Sequence, residues 1–68
     1  MIEIIVVDRL GNELTKKHYD YTFTAEDAFF DFVEEKKRLG YGVVEIHNSF
    51  ACKEVEFSDG VKITMLAQ

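Results

Sequence analysis

The sequence predicts an α+β domain in which a single helix packs on one face of a four- to five-stranded sheet, mixed or antiparallel, in the order β-β-α-β-β-β. Three observations predict this class. Short segments alternate apolar and polar residues with the strand period of two. One segment repeats apolar residues with the helical period, and glycine-containing turns separate the segments. The 68 residues suffice for one domain, spanning 1–68.

The first two strands are joined by turn residues. Ile2 to Asp8 is β-branched on both faces, as expected for an interior strand. Gly11-Asn12 supplies the turn that returns the chain into Thr15 to Phe23. There the aromatic side chains alternate with polar ones, so one face of this second strand is aromatic.

The last three strands follow the helix. Val43 to Asn48 forms one strand, and the residues before Phe57 form the next. Asp59-Gly60 then predicts a tight type I′ hairpin into the final strand. Ser49 to Cys52 is open to three interpretations, namely a loop, a bulge or the start of a strand.

The helix has predictable ends. Thr24 is the expected N-cap, with Asp27 in the position of a capping box and, like Glu26, in the first turn. Lys36 to Arg38 fill the last turn, and Gly40 provides the left-handed residue that ends the helix. The 3.6-residue period directs one set of side chains to the sheet, and it directs Phe30 away from them. The set is Ala25, Ala28, Phe29, Phe32, Leu39 and the aliphatic stem of Lys36.

A single helix cannot cover both faces of the sheet, and the strand phases place an apolar patch on the uncovered face. We expect Ile5, Val7, Val43 and Leu66 to form it. Two strand orders fit, 2-1-3-4-5 and 2-1-5-4-3, and both place the first strand in the interior. The patch is either a surface for self-association, including a homodimer, or a chance result of imperfect alternation.

The composition of the chain argues against two classes of binding partner, nucleic acids and membranes. The net charge of −5 and the pI near 4.8 argue against direct binding to nucleic acid, which requires Lys and Arg to neutralise phosphates. The apolar run from Ile4 to Val7 is too short for a membrane span, so no membrane partner is expected. The single Cys52 excludes an internal disulfide and favours a cytoplasmic location.

No catalytic, cofactor-binding or metal-binding motif is expected. His47 and Cys52 could approach each other across neighbouring strands, but a structural zinc site needs four ligands, and His18 lies on another strand. Glu54 and Glu56 share a strand face, which is more typical of a solvated hairpin than of an acid–base pair. The sequence therefore predicts a protein that is not an enzyme.

Three aromatic residues, Tyr19, Tyr21 and Phe23, share one strand face. A base-stacking platform of the kind used by RNA-binding sheets is one interpretation. Phe23 precedes the expected N-cap, however, and acidic neighbours would repel phosphates. We therefore expect the three aromatic side chains to belong to the core.

An acidic stripe on the helix is the most informative feature for function. Asp27, Asp31, Glu34 and Glu35 follow i, i+4, i+7, i+8 spacing, and Phe30 lies on their flank near Glu34. The row is either an ordinary solvated face or a surface that docks into a basic groove. The Asp31/Glu35 repulsion has a small stability cost that favours the second interpretation.

In general layout the chain resembles small phage-encoded accessory proteins, including anti-CRISPR inhibitors, which are very short and acidic and have no active site. The resemblance implies no particular functional residues. Our hypothesis is a non-catalytic protein-binding module, an inhibitor and nucleic-acid mimic that presents its acidic helix to a protein partner with a basic surface. The alternative is a structural or assembly protein that self-associates through the uncovered sheet face.

Overall fold

One helix lies on a five-stranded sheet, as the sequence predicts. The computed structural model describes residues 1–67, and every strand pair in it is antiparallel. The sheet order is β2-β1-β5-β4-β3, which is the second of the two expected orders and places β1 in the interior. The elements are β1 Ile2–Val7, β2 Glu13–Tyr19, α1 Thr22–Arg38, β3 Val43–Ser49, β4 Cys52–Phe57 and β5 Lys62–Ala67.

The core lies between α1 and the sheet and is built from alternate strand residues and one face of the helix. The helix contributes the buried Ala25 and Phe29, while Ala28, Phe32 and Val33 pack around them half-buried. Phe30 points away from this core, so the predicted helical phase is confirmed. The strands contribute Ile2, Ile4, Val6, Val55, Phe57, Ile63 and Met65, and Val61 joins them from the position before β5.

The turn between β4 and β5 differs from the prediction. The Gly60 N–H donates to the Phe57 carbonyl at 2.9 Å, and the Phe57 N–H donates to the Val61 carbonyl at 2.9 Å. A type I′ turn requires positive φ at both central residues, but of these residues only Gly60 has it, at +86°. The type I′ prediction at Asp59-Gly60 is therefore wrong. The connection is a three-residue loop that ends in a left-handed glycine.

The turn between β1 and β2 has the same design. The Gly11 N–H donates to the Asp8 carbonyl at 3.0 Å, and the Asp8 N–H donates to the Asn12 carbonyl at 2.9 Å. The Asp8 carboxylate also accepts the N–H groups of Leu10 and Asn12, each at 2.9 Å. These bonds, that from the Asn12 backbone first, lower the pKa of Asp8. The ionised carboxylate of Asp8 thus stabilises the loop.

Between β3 and β4, the segment Ser49 to Cys52, for which the sequence allows three interpretations, forms a tight turn. Phe50 and Ala51 are its central residues, Ser49 ends β3, and Cys52 begins β4. The Ser49 hydroxyl donates to the Cys52 carbonyl at 3.3 Å. Of the three interpretations, the turn is a loop followed directly by a strand start.

The helix begins earlier than predicted. Its first residue is Thr22 and its N-cap is Tyr21, which makes no side-chain capping bond, so the prediction of Thr24 as N-cap is wrong. Glu26 and Asp27 consequently lie beyond the first turn, which contains no acidic residue. The alternation that predicts a strand through Phe23 is compatible with either element, but Thr22 and Phe23 belong to the helix and Tyr21 precedes it as N-cap.

This early start also overturns the predicted aromatic core. Strand β2 ends at Tyr19, which is half-buried against the core, whereas Tyr21 and Phe23 are 64% and 70% exposed. The two exposed rings stack on each other instead, with centroids 5.8 Å apart. The change from strand to helix after Tyr19 breaks the shared phase, so only the first of the three faces inward.

The C-terminal end of α1 forms a Schellman motif. Gly40 has φ +94°, and its N–H donates to the Lys37 carbonyl at 3.0 Å while the Tyr41 N–H donates to the Lys36 carbonyl at 3.1 Å. The predicted role of Gly40 is therefore confirmed. Leu39 is the C-cap residue and is exposed, so its predicted contact with the sheet is wrong. It lies past the last helical turn, where the helical phase no longer determines its direction.

Lys36 joins the helix to the β4–β5 turn. Its mostly buried ammonium forms an ion pair with Asp59 and lies 4.0 Å from the centre of the Tyr41 ring. Burial alone would raise the pKa of Asp59, but the hydrogen bonds from Lys36 and from the Val61 N–H, together with the Lys36 charge, lower it. The stem of Lys36 thus lies toward the sheet, and its ammonium lies on a carboxylate and not in open water.

The segment between α1 and β3 is attached to the same turn. The Ser58 N–H donates to the Gly42 carbonyl at 2.8 Å, and the Gly42 N–H donates to the Ser58 hydroxyl at 3.2 Å. These two bonds and the Lys36–Asp59 ion pair hold the end of the helix on the β4–β5 hairpin.

The helix phase predicts how three phenylalanines rank in stability. Phe29→Ala should lower the free energy of unfolding by about 3–5 kcal/mol, because it opens a cavity in the core. Phe32→Ala should cost less, since Phe32 is half-buried. Phe30→Ala should change stability by about 0.5 kcal/mol or less. Chemical denaturation of the three variants measures this order, and a loss for Phe30→Ala as large as that for Phe29→Ala would contradict it.

The ion pair at the helix end predicts an acid-dependent contribution to stability. The folded pKa of Asp59 lies below its ordinary value of 3.8, so the contribution is present at neutral pH and is lost as pH falls through the folded pKa. Lys36→Met keeps the aliphatic stem and removes the charge, and it should cost about 1.5 kcal/mol at pH 7. Denaturant unfolding at pH 7 and pH 3 should show the difference from wild type shrinking at the lower pH. An equal difference at both pH values would contradict this account.

Two of the three left-handed glycines offer a matched pair. Gly11 and Gly60 have φ +87° and +86°, but a Cβ on Gly11 meets no atom within 4 Å, whereas a Cβ on Gly60 would lie 2.3 Å from Arg9 Cβ. Gly11→Ala should therefore cost only the left-handed strain of about 1–2 kcal/mol. Gly60→Ala should cost at least about 1 kcal/mol more, since Arg9 must move. Thermal or denaturant unfolding compares the two, and equal losses would show that the turns do not contact each other.

Candidate protein-binding surface

The acidic stripe lies on the side of α1 that faces away from the sheet. Asp27, Asp31 and Glu35 are exposed, and Glu34 is half-exposed. Ala25 and Phe29 occupy the opposite side of the helix in the core, so the 3.6-residue period directs the acids outward. The structure therefore brings the four acids together on one surface.

The four carboxylates differ in their partners. Glu34 forms an ion pair with Lys37 at 3.4 Å, and Glu35 forms one with Arg38, both within the last turns of the helix. Neither Asp27 nor Asp31 forms an ion pair within residues 1–67. The uncompensated negative charge of the stripe is thus concentrated in the first half of the helix.

Phe30 stands among these acids. Its side chain is 63% exposed, and its position in the helix places it beside Asp27 and Glu34. A large exposed aromatic side chain within charged residues is the composition of an interface anchor, in which the ring is desolvated on binding and the charges select the partner.

A groove runs along the helix next to Phe30. Its cavity volume is about 410 Å³, and it lies between the helix and strands β4 and β5. We call it the Phe30 groove. It is apolar inside and acidic at the rim, and Lys53 lies 3.8 Å from Glu26 across it. Its lining residues are Glu26, Asp27, Phe29, Phe30, Val33, Lys53 and Met65.

A second, smaller groove of about 260 Å³ lies on the other side of the helix, against β2. Asp31 and Glu35 of the acidic stripe line it, together with Lys17, Tyr19, Ala28 and Phe32. The stripe is therefore a ridge between two grooves. Two of its members line the second groove, and one, Asp27, lines the Phe30 groove.

The uncovered face of the sheet carries a narrower apolar patch than the sequence predicts. Ile5, Val7 and Leu66 lie on this face half-buried, because their neighbours along β1 and β5 point into the core. Val43 does not join them. A bulge between Val43 and Glu45 places Val43 opposite Phe57, a core residue, so the predicted location of Val43 is wrong.

Polar residues interrupt that patch. Ile5 lies between Lys16 of β2 and Thr64 of β5, and Leu66 lies opposite Glu3. Glu3 itself is buried on this face, with one carboxylate oxygen 2.7 Å from His18 Nε2. Sequence alternation did not identify this buried carboxylate, because a single acid between isoleucines is expected to point to water.

The residues considered for catalysis or metal binding are dispersed. His47 lies opposite Glu54 and has its Nε2 2.8 Å from Glu45 Oε1, while Cys52 lies opposite Ser49. In the part of the chain that the structure describes, no group of three or more His, Cys, Asp or Glu side chains could hold a metal ion.

Sequence reasoning placed β3 correctly but missed its exposure. Val44 and Ile46 are 61% and 63% exposed, and every residue of this edge strand is at least partly accessible from both sides of the sheet. The number of strands could have predicted this exposure, because one helix of about 10 Å diameter cannot cover all five strands.

Two further findings bear on the chain as a whole. Among residues 1–67, the one helix is too short and too polar to cross a bilayer. Comparison of the chain with known protein families, characterised proteins and solved structures finds no match.

Proposed function

We propose that this protein is a non-catalytic binding module that docks its acidic helix into a basic groove of a partner protein. The docking surface consists of Asp27, Phe30, Asp31, Glu34 and Glu35. The observation that carries the proposal is Phe30, an exposed aromatic ring among carboxylates at the rim of an apolar groove. A merely solvated helix face has no need of such a ring.

The charge of the surface defines the class of partner. Asp27 and Asp31 have no basic partner among the described residues, so their field extends into solvent and attracts a surface rich in Lys and Arg. Glu34 and Glu35 can exchange their helix partners for those of the bound protein, because surface ion pairs contribute little. The acids therefore steer and align the complex.

The spacing of the acids supports a groove that binds nucleic acid. Asp27 and Asp31 are four residues apart, about 6 Å along the helix axis. Two phosphates on one DNA strand advance by about 6.8 Å. A helix with this row of charges acts as a nucleic-acid mimic, and occupation of the groove makes the protein an inhibitor of the phage-accessory type.

Phe30 supplies the affinity that charges alone rarely provide. Burying an aromatic ring at the centre of an interface contributes far more than an exposed ion pair does. The Phe30 groove lies directly beside it, with Phe29, Val33 and Met65 as its apolar lining, and can receive an apolar side chain of the partner. Ring and groove together form the anchor, and the acids surround it.

The proposal predicts the behaviour of three variants in a capture experiment. Wild-type protein is immobilised on a support and incubated with lysate of its source cell. It should retain a nucleic-acid-binding protein, and excess duplex DNA should displace that protein. Asp31→Lys/Glu34→Lys should abolish retention, and Phe30→Ala should weaken it at least about tenfold. Retention should fall as ionic strength rises from about 0.01 M to about 0.15 M, because the Debye length shrinks from about 30 Å to about 8 Å.

The matched control is Glu13→Lys/Asp20→Lys, which reverses two exposed acids outside the helix and changes the net charge equally. It should bind nearly as wild type does, and circular dichroism should show that all variants are folded. If the helix variant binds the same protein as strongly as the control, or if DNA does not displace that protein, the acidic helix is not the binding surface.

A further inference from the structure

We propose that two copies of this chain pair through β3, antiparallel about a two-fold axis at Ile46, and form one continuous sheet. This inference is independent of the proposed function, because it uses strand β3, none of whose residues belongs to the proposed docking surface, and requires no other protein.

The two edges of the sheet differ. The sheet order leaves β2 and β3 at the edges, where backbone N–H and C=O groups are free to pair with another strand. Strand β2 carries Lys16, Lys17 and His18, and lysine on an edge strand discourages such pairing. Strand β3 spans seven residues and contains neither Lys nor Pro.

Three of the exposed side chains of β3 are apolar, namely Val43, Val44 and Ile46. Val44 and Ile46 are mostly exposed, and Ile46 lies opposite Val55, a core residue of β4. Ile46 therefore belongs to the helix side of the sheet, beyond the reach of the helix, which packs on β1, β2 and β5. A neighbouring strand at this edge would cover it.

The charges of β3 are complementary to a second copy in one register. With Ile46 opposite the partner's Ile46, Glu45 lies opposite the partner's His47, and His47 lies opposite the partner's Glu45. Directly opposite residues have Cβ atoms about 4.5–5.5 Å apart. An imidazole N–H donates to a carboxylate in either protonation state, so both contacts are favourable.

Neighbouring registers lose this complementarity. A two-fold axis at His47 places the two His47 side chains opposite each other, and an axis at Glu45 does the same for two carboxylates. In the second case the two carboxylates repel each other, and in the first each imidazole loses the carboxylate that would accept its N–H. Glu45 and His47 already lie 2.8 Å apart in one copy, so pairing about Ile46 brings two carboxylates and two imidazoles together on the uncovered face.

The remaining contacts in this register are also compatible. Val44 lies opposite the partner's Asn48, and the two Ile46 side chains meet on the helix side of the sheet. Both helices then lie on the same side, each over the far strands of its own copy, and leave the central strands clear. The two Phe30 grooves come to face each other across the Ile46 pair.

Charge exchange tests the register. Wild type should sediment as a dimer at micromolar concentration. Glu45→Lys and His47→Glu should each weaken the dimer at least about tenfold, because the first removes the acceptor of both imidazoles and the second places two pairs of carboxylates opposite each other. The double variant Glu45→Lys/His47→Glu should restore the dimer, since the introduced lysine of each copy then meets the introduced glutamate of the other. Sedimentation equilibrium measures all four proteins.

Cross-linking supplies a readout that does not depend on charge. In a Cys52→Ser background, Ile46→Cys should form a disulfide-linked dimer under mild oxidation with diamide, because the two residues face each other across the axis. Asn48→Cys, in the same background, should form it much more slowly. A wild type that stays monomeric at high micromolar concentration would overturn the proposal. A dimer that neither single charge variant weakens, or that cross-links equally at positions 46 and 48, would do so as well.

Discussion

The width of a single helix limits how much of this sheet can be covered. Five strands about 4.8 Å apart span roughly 19 Å, whereas a helix with its side chains is about 10–12 Å wide. The helix packs on β1, β2 and β5 and leaves β3 uncovered. The two grooves beside the helix, the exposed edge strand and the partly polar uncovered face all follow from this difference in width.

The position of the helix is fixed at its C-terminal end. Lys36 reaches Asp59 in the β4–β5 turn, and the Schellman motif at Gly40 turns the chain back toward that hairpin. Gly42 and Ser58 then exchange two hydrogen bonds. Because these contacts are polar and specific, they fix the helix in one position over the sheet, which the nonspecific attraction of apolar surfaces could not do alone.

The sequence predicted the parts of the fold that depend on periodicity. The element order, the phase of Phe29 against Phe30, and the end of the helix at Gly40 follow from repeats and from the left-handed preference of glycine. The start of the helix did not, because Thr22 and Phe23 suit either a strand or a helix and no side chain caps the end. Propensity could not decide between them, and Tyr21 and Phe23 were therefore assigned wrongly to the core.

The candidate surfaces were predictable to different degrees. The acidic ridge could be read from spacing alone, since exposure of the acids follows from the phase of the core face. The location of Val43 could not, because a bulge of one residue reverses the face of every side chain beyond it. Nor could the burial of Glu3, which depends on His18 and Lys16 of the neighbouring strand.

The unequal edges of the sheet determine how far strand addition can proceed. A sheet with two receptive edges would add copies at both ends and grow into a filament. Here the lysine-rich β2 edge stands at the outer end of each copy. The proposed pairing through β3 would therefore leave two charged ends and no receptive one, so that growth would terminate at a closed pair.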